Sequence, residues 1–231
     1  MFNVSQLEKI RARIASTCAR IGRKPEEVTL IGVSKTIPAA DIFSAYQSGV
    51  LCFGENRVQE AATKIPELKT QGVRAQWHLV GHLQTNKVKS ALELFDVIQS
   101  VDRLAVAEAL QKRAEQLNRT VEFFAQVNTS GESTKYGVAP QEAASLARAL
   151  SAFPHLRLTG LMTIGALTSD AQRIRQGFRL LRELAANIAA LHLPRVTMSH
   201  LSMGMSDDFE IAIEEGATHI RIGRALFGER H

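Results

Sequence analysis

Eight short apolar runs, separated by segments of helical period, constrain this chain more than any other feature. VTLIGVSK, LCFGE, QWHLVG, FDVIQSV, VEFFAQVN, LRLTGLMTI, RVTMSHLS and ATHIRIG are short, and most are rich in β-branched and aromatic residues, so each reads as a strand. Between them apolar residues recur every three or four positions, as in Leu104, Ala107, Leu110, Ala114 and Leu117, and again in Ile174, Phe178, Leu181, Leu184, Ile188 and Leu191. Strands that read as apolar on both faces and are separated by helices imply a parallel sheet covered by helices. Eight such units predict a closed TIM (β/α)8 barrel. The rival, a doubly wound open sheet, usually carries a glycine-rich turn after its first strand, and GVSKTIPAA has no G-x-G-x-x-G pattern. Leu7, Ile10, Ile14, Cys18 and Ile21 add an amphipathic helix before the first strand, ending near Gly22. No linker or low-complexity seam divides the chain, so residues 1–231 are expected to form one α/β domain.

Composition removes several classes of function. The chain is 45% hydrophobic and 22% charged, which is ordinary for a globular protein. No stretch approaches the roughly 20 apolar residues of a membrane span, and the opening MFNVSQLEKIRARI lacks the apolar block of a signal peptide. A cytoplasmic location and no membrane partner are expected, and an isolated barrel of this size reads as a monomer. Cys18 and Cys52 lack metal-ligand spacing and read as free thiols. The net charge of +5 raises the question of nucleic acid, but Arg11, Arg13, Arg20, Arg23 and Lys24 belong to a solvated helix face and its exit, without aromatics for base stacking. His78 and His82 lie four apart on a strand, which separates them by roughly 13 Å, too far for one metal ion.

In a barrel the chemistry gathers at the C-terminal strand ends, and the unusual polar residues lie there: Lys35, Glu55, Asn56, His82, Asp102, Asn128, Ser202, Ser206 and Arg221. Lys35 ends the first apolar run. Partial burial there disfavours the ammonium form and makes the amine a better nucleophile toward an aldehyde. At the other end of the chain SMGMSDDFEIAI and IGRALFG form two glycine-bearing turns after strands seven and eight, where barrels of this kind frequently bind phosphate. A reactive amine facing an anion cradle describes a pocket for a phosphorylated aldehyde. Pyridoxal 5′-phosphate (PLP) has both groups; a cofactor-free aldolase acting on a sugar phosphate needs the same pair.

Seven segments then carry a resemblance that runs along almost the whole chain: VSKT at Lys35, FGENRVQEA at Asn56, WHLVGHLQTNK, KYGV, GLMTIG, LSMGMSDDFEIAI and RIGRALFGER. In this order they resemble the YggS/PROSC family, the pyridoxal phosphate homeostasis proteins, whose barrel is similar to the N-terminal domain of alanine racemase. The resemblance implies that Lys35 carries the PLP aldimine, that Asn56 lies beside the cofactor, and that Ser206 with the backbone of Gly223 and Arg224 holds the phosphate. It further implies that Arg221 faces the pyridine nitrogen, where a fixed cation disfavours ring protonation and slows carbanion chemistry. Arg224 stands where many relatives carry Thr or Ser, and Arg57 where an aromatic residue is common. The implied role is binding PLP for intracellular homeostasis, by buffering or by delivery to PLP-dependent apo-enzymes, with no dedicated catalytic residue and no metal. The alternative is an amino-acid racemase, which needs a second acid or base opposite the lysine; Tyr136 is the nearest candidate, and the chain has no room for the additional β domain that supplies this group in alanine racemase.

Overall fold

The computed structural model describes residues 2–228; Met1, and with it Glu229 and Arg230 at the end of RIGRALFGER and the terminal His231, lies outside the described residues. Eight strands, β1 (Thr29–Val33), β2 (Cys52–Glu55), β3 (Gln76–Leu79), β4 (Val97–Val101), β5 (Val121–Gln126), β6 (Leu156–Met162), β7 (Val196–Ser202) and β8 (His219–Ile222), alternate with helices α2 (Ala39–Gln47), α3 (Val58–Thr70), α4 (Val88–Leu94), α5 (Leu104–Gln116), α6 (Ala143–Leu150), α7 (Ala171–Ala189), α8 (Phe209–Glu214) and α9 (Arg224–Phe227), after an opening helix α1 (Val4–Arg20). The strands pair in parallel in chain order and β8 returns to β1, with Ile31 opposite Arg221, so the sheet closes into a barrel. Each strand lies inside the apolar run that predicts it. The runs overshoot at one or both ends because polar exits such as Ser34–Lys35 and Val80–Gly81 leave the ladder.

The main core lies between the barrel and its helices. Phe53, Trp77, Ile98 and Phe123 point outward from the strands to meet Ile42, Ile65, Leu110 and Phe178 on the helices, all essentially without solvent contact. Full burial of each such side chain is worth about 1.5–3 kcal/mol, enough for this layer to dominate the stability. The outward strand faces are therefore apolar, as the sequence predicts. The inward faces are not. His78, Gln99, Gln126, Ser202, His219 and Arg221 are buried along the strands, and the second apolar cluster is a small one formed by Val97, Phe124 and Met162. The reading of two apolar faces is corrected on this point: alternate residues of a strand face the axis, and at several of those positions the side chain is polar.

Helix α1 starts with Asn3 accepting the Ser5 N–H at 2.9 Å and buries Leu7, Ile10, Ile14 and Cys18 at helical spacing. Across the interface Arg13 donates to Glu210 of α8 and lies over the Phe209 ring at 4.4 Å. Arg23 then donates to the carbonyls of Ile213 and Ala217. Arg13 on α1 and Arg23 just beyond it thus fasten this helix to the end of the barrel sequence. None of the described helices is long and apolar enough to cross a membrane.

Candidate functional site

Lys35 stands two residues past β1 in a turn that the rest of the chain holds firmly. The turn closes with the Ile37 N–H donating to the Ser34 carbonyl at 3.0 Å, while the Ser34 N–H donates back to Gly54 of β2. Its next residue, Thr36, has φ of +63°, a left-handed conformation that costs a β-branched residue on the order of 1–3 kcal/mol. Glu60 on α3 compensates by accepting the Thr36 N–H. Lys64, one turn further along α3, donates to the Ser34 carbonyl at 2.8 Å and to Glu55 at 3.2 Å, and also reaches Glu60. Ser34 Oγ donates to Glu55 Oε1 at 2.8 Å. Glu55 thus serves as an inner brace of the lysine turn and does not line the mouth. Burial pushes its carboxyl above the usual range, against the pull of Lys64 and Ser34.

The facing wall comes from β8 and the turns after β7 and β8. Gly204 gives the first of these its shape. Its φ is +92°, and a Cβ there would meet Ala212 at 2.5 Å. Asp208 does not cap α8 with its side chain but turns back to accept the Met205 N–H, closing the SMGMSD loop. Ser206 Oγ accepts the Ala225 N–H at 3.2 Å, which joins this loop to the one after β8 and leaves the Ser206 hydrogen available to a ligand. Arg224 reaches across to Asp207, so its guanidinium clamps the two loops from outside.

Arg221 is buried below them. It donates through Nη1 to Ser202 Oγ at 2.7 Å and through Nη2 to the Thr163 carbonyl at 2.6 Å, and its own N–H donates to Gly204 at 2.9 Å. Every one of these acceptors except the hydroxyl is a backbone carbonyl, and all are neutral. Burial pushes the guanidinium down to about 10, partly offset by Asp208 nearby, so it remains a cation at neutral pH held by neutral hydrogen-bond acceptors.

One cavity of ≈ 320 Å³ connects these walls. It is lined by Lys35, Asn56, Ser206, Arg221, Gly223 and Arg224, together with Asp207 and the apolar Val33, Val80, Ile164 and Met205. All six residues that the resemblance assigns to the cofactor therefore meet in one space, at the low end of the range for small-molecule pockets. Asn56 reaches it because Gly81 lets the exit of β3 press on its backbone: a Cβ on Gly81 would come within 2.1 Å of the Asn56 carbonyl oxygen.

Other strand-end residues have different duties. Asn128 donates to the Glu132 and Lys135 carbonyls and organises its own loop. Lys135 donates to the Gly165 carbonyl at 2.7 Å and to Glu132 at 2.9 Å, tying that loop to the one after β6. Asp102 pairs with Arg103, and Arg103 contacts His82. His82 lines a neighbouring cavity with Arg57 and Lys87, and its ring stacks on half-exposed Tyr136 with centroids 4.0 Å apart. Tyr136 does not line the Lys35 cavity. His78 sits inside β3, far into the barrel. Gln99, a partner of both His78 and Ser202, is the residue that sequence reasoning passed over. A signal was present in the polar residues inside the strand runs: HIRI alternates strictly, VIQSV carries Gln99, and VTMSHLS carries His200 and Ser202.

The family model for the alanine racemase N-terminal domain matches residues 5–231. A pyridoxal phosphate homeostasis protein of Aquifex aeolicus is 42% identical over 225 residues, covering 97% of each chain. PipY of Synechococcus elongatus, in its structure with PLP bound, is 40% identical with a TM-score of 0.81, covering 93% of this chain and all of that one. An alanine racemase of Clostridium difficile has a TM-score of 0.79 at 14% identity, a likeness of fold alone, and this chain covers 99% of itself but 58% of the racemase. The chain belongs to the alanine racemase N-terminal-domain family and, within it, to the pyridoxal phosphate homeostasis proteins.

Proposed function

We propose that this protein binds PLP in the Lys35 cavity and serves intracellular PLP homeostasis by holding and releasing the cofactor, without a turnover reaction of its own. One observation carries the reading: a lysine amine and a buried guanidinium held by neutral acceptors share a single cavity with a hydroxyl and glycine-bearing loop at its anion-binding end. The donor set fits the group. When bound, PLP supplies an aldehyde that condenses reversibly with a primary amine. Lys35 offers that amine at a turn braced by Lys64, Glu60 and Glu55, so the nucleophile is already placed before ligand arrives. Ser206 and the backbone of Gly223 and Arg224 are assigned to the phosphate, Asn56 to the flank of the ring, and Arg221 to the ring nitrogen. A cation held at that nitrogen by neutral acceptors opposes its protonation, so carbanion chemistry stays slow.

The racemase alternative requires a proton-transfer group opposite Lys35. Among the cavity-lining residues the other ionisable side chains are Asp207, Arg221 and Arg224, and Asp207 is exposed and engaged by Arg224. Tyr136, the candidate acid, is stacked on His82 outside the cavity. We place the protein in the cytoplasm as a monomer that can pass PLP to apo-enzymes. Incubation with PLP, borohydride reduction and peptide mass mapping are expected to put one pyridoxyl group on Lys35, and Lys35→Ala is expected to lose it. A wild type that takes up no PLP, or a trapped sugar-derived fragment in its place, would overturn the proposal. Stereospecific α-proton exchange of an amino acid in deuterated water, abolished by Tyr136→Phe, would overturn its non-catalytic part.

A further inference from the structure

The guanidinium of Arg221 is the first link of a chain of neutral hydrogen bonds that runs down the barrel axis. Ser202 Oγ accepts from Arg221 Nη1 at 2.7 Å, so its own hydrogen must go elsewhere, and Gln99 Oε1 lies at 2.6 Å to take it. That contact orients the Gln99 amide: with its oxygen on Ser202, its Nε2 faces His78 Nδ1 at 2.8 Å and donates to it. A histidine that accepts at Nδ1 is neutral and carries its proton at Nε2, and Gln76 Oε1 is 3.1 Å from that nitrogen. Each link therefore determines the next, from the cavity floor to the opposite end of β3. Ser202, Gln99 and His78 are all buried.

We infer that Gln99, acting through Ser202 and seconded by His78, is the positioning residue that aims Arg221 into the cofactor cavity and keeps its hydrogen-bond acceptors neutral. This rests on the PLP reading above. The physical reason is the choice of an amide. A glutamine can accept from Ser202 and donate to His78 at once, which fixes Ser202 as an acceptor for Arg221 without adding a negative charge to the hydrogen-bond chain. A carboxylate of the same shape would accept from both sides. It would draw a proton onto His78 and place an anion two hydrogen bonds from Arg221, weakening the field that the ring nitrogen and phosphate meet. An apolar residue would leave Ser202 free to rotate and Arg221 Nη1 without a fixed acceptor, so that the Thr163 carbonyl at Nη2 alone would direct the guanidinium. The surroundings suit a neutral chain: His219, with its ring 5.9 Å from His78, and Phe124 pack beside it, and burial pushes His78 down to about 4.

The inference is tested on the full chain with PLP as the probe. Gln99→Leu is expected to weaken PLP binding about tenfold, the loss of order that one hydrogen bond to a charged group supports, and to move the absorption band of the lysine-bound cofactor and its pH profile. Gln99→Glu is expected to change the same band in the direction of greater ring-nitrogen basicity, and to raise His78 so that it titrates near neutral pH by ¹⁵N NMR. A merely structural role would lower stability and leave the band and its pH profile where they are. Because either variant can fail to fold, the wild type supplies a separate reading: ¹⁵N NMR should find His78 as the Nε2–H tautomer at pH 7. An Nδ1–H or charged His78 in the wild type, or variants that bind PLP with unchanged affinity and spectrum, would overturn the inference. A wild type that never takes up PLP would instead reject the cofactor reading.

Discussion

Replacing Lys64 by methionine isolates the brace behind the reactive lysine. The Glu55 side chain has no solvent contact, its Oε2 has no hydrogen-bond partner among the described residues, and Lys64 Nζ lies 3.2 Å from Oε1. Lys64→Met keeps the length of the side chain but leaves Glu55 as an unpaired buried charge. Removing one partner of such a pair costs about 3–5 kcal/mol, and protonation of Glu55 limits the loss to the lower figure, about 3 kcal/mol. For a domain of this size that corresponds to a fall in Tm of about 6–12 °C. The sign with pH follows from the direction of the shift. Burial raises the Glu55 carboxyl in the fold, so the stability contributed by its protonated form is complete below the ordinary carboxylate range and is lost as pH rises through the raised value. Without Lys64 that value climbs further. The deficit against wild type should therefore be largest at pH 8 and smaller at pH 5, measured by urea unfolding at both. The double variant Lys64→Met/Glu55→Gln should recover most of the loss. A deficit below about 1 kcal/mol at pH 8, or an equal deficit at both pH values, would refute the argument that an ionised Glu55 is being held in place. Because Lys64 also holds the Ser34 carbonyl, the same variant is expected to take up PLP more slowly.

Two further outcomes follow from the site and the barrel interior. Arg224→Ala should change PLP affinity by less than about fivefold, since the guanidinium is half-exposed and engaged by Asp207, and such pairs contribute about 0–1 kcal/mol; titration with PLP checks it, and a tenfold or greater loss would give the side chain a direct hold on the ligand. Burial pushes His78 down to about 4 and His219 down to about 3, so both contribute stability above the ordinary histidine value that is lost as pH falls toward the folded values; unfolding free energy should drop by about 2 kcal/mol per histidine between pH 7 and 5, and His219→Asn should remove about half of that slope.

The barrel was legible because its evidence is local. A run such as VEFFAQVN declares a strand by composition, and Ile174, Phe178 and Leu181 declare a helix by spacing, without reference to any distant residue. The candidate site was legible for a different reason. Barrel topology places every strand exit at one mouth, so Lys35 after β1 and Ser206, Arg221 and Gly223 near β7 and β8 become neighbours once closure is assumed. Individual duties were harder to read. Glu55 and Asn128 have the position of mouth residues, yet one braces a turn and the other laces a loop, because hydrogen-bond partners depend on where α3 and the Glu132 segment come to rest.

The amino-acid sequence by itself determined the order of strands and helices, the outward apolar faces and the residue types available at the strand ends, since each depends on periodicity and propensity along a short stretch. Only the tertiary structure decided that the inward faces build a directed polar chain, that Arg221 is held by neutral acceptors, and that Tyr136 stacks away from the lysine. Those facts depend on the register between strands far apart in the chain and on the few ångströms that separate a hydrogen bond from none.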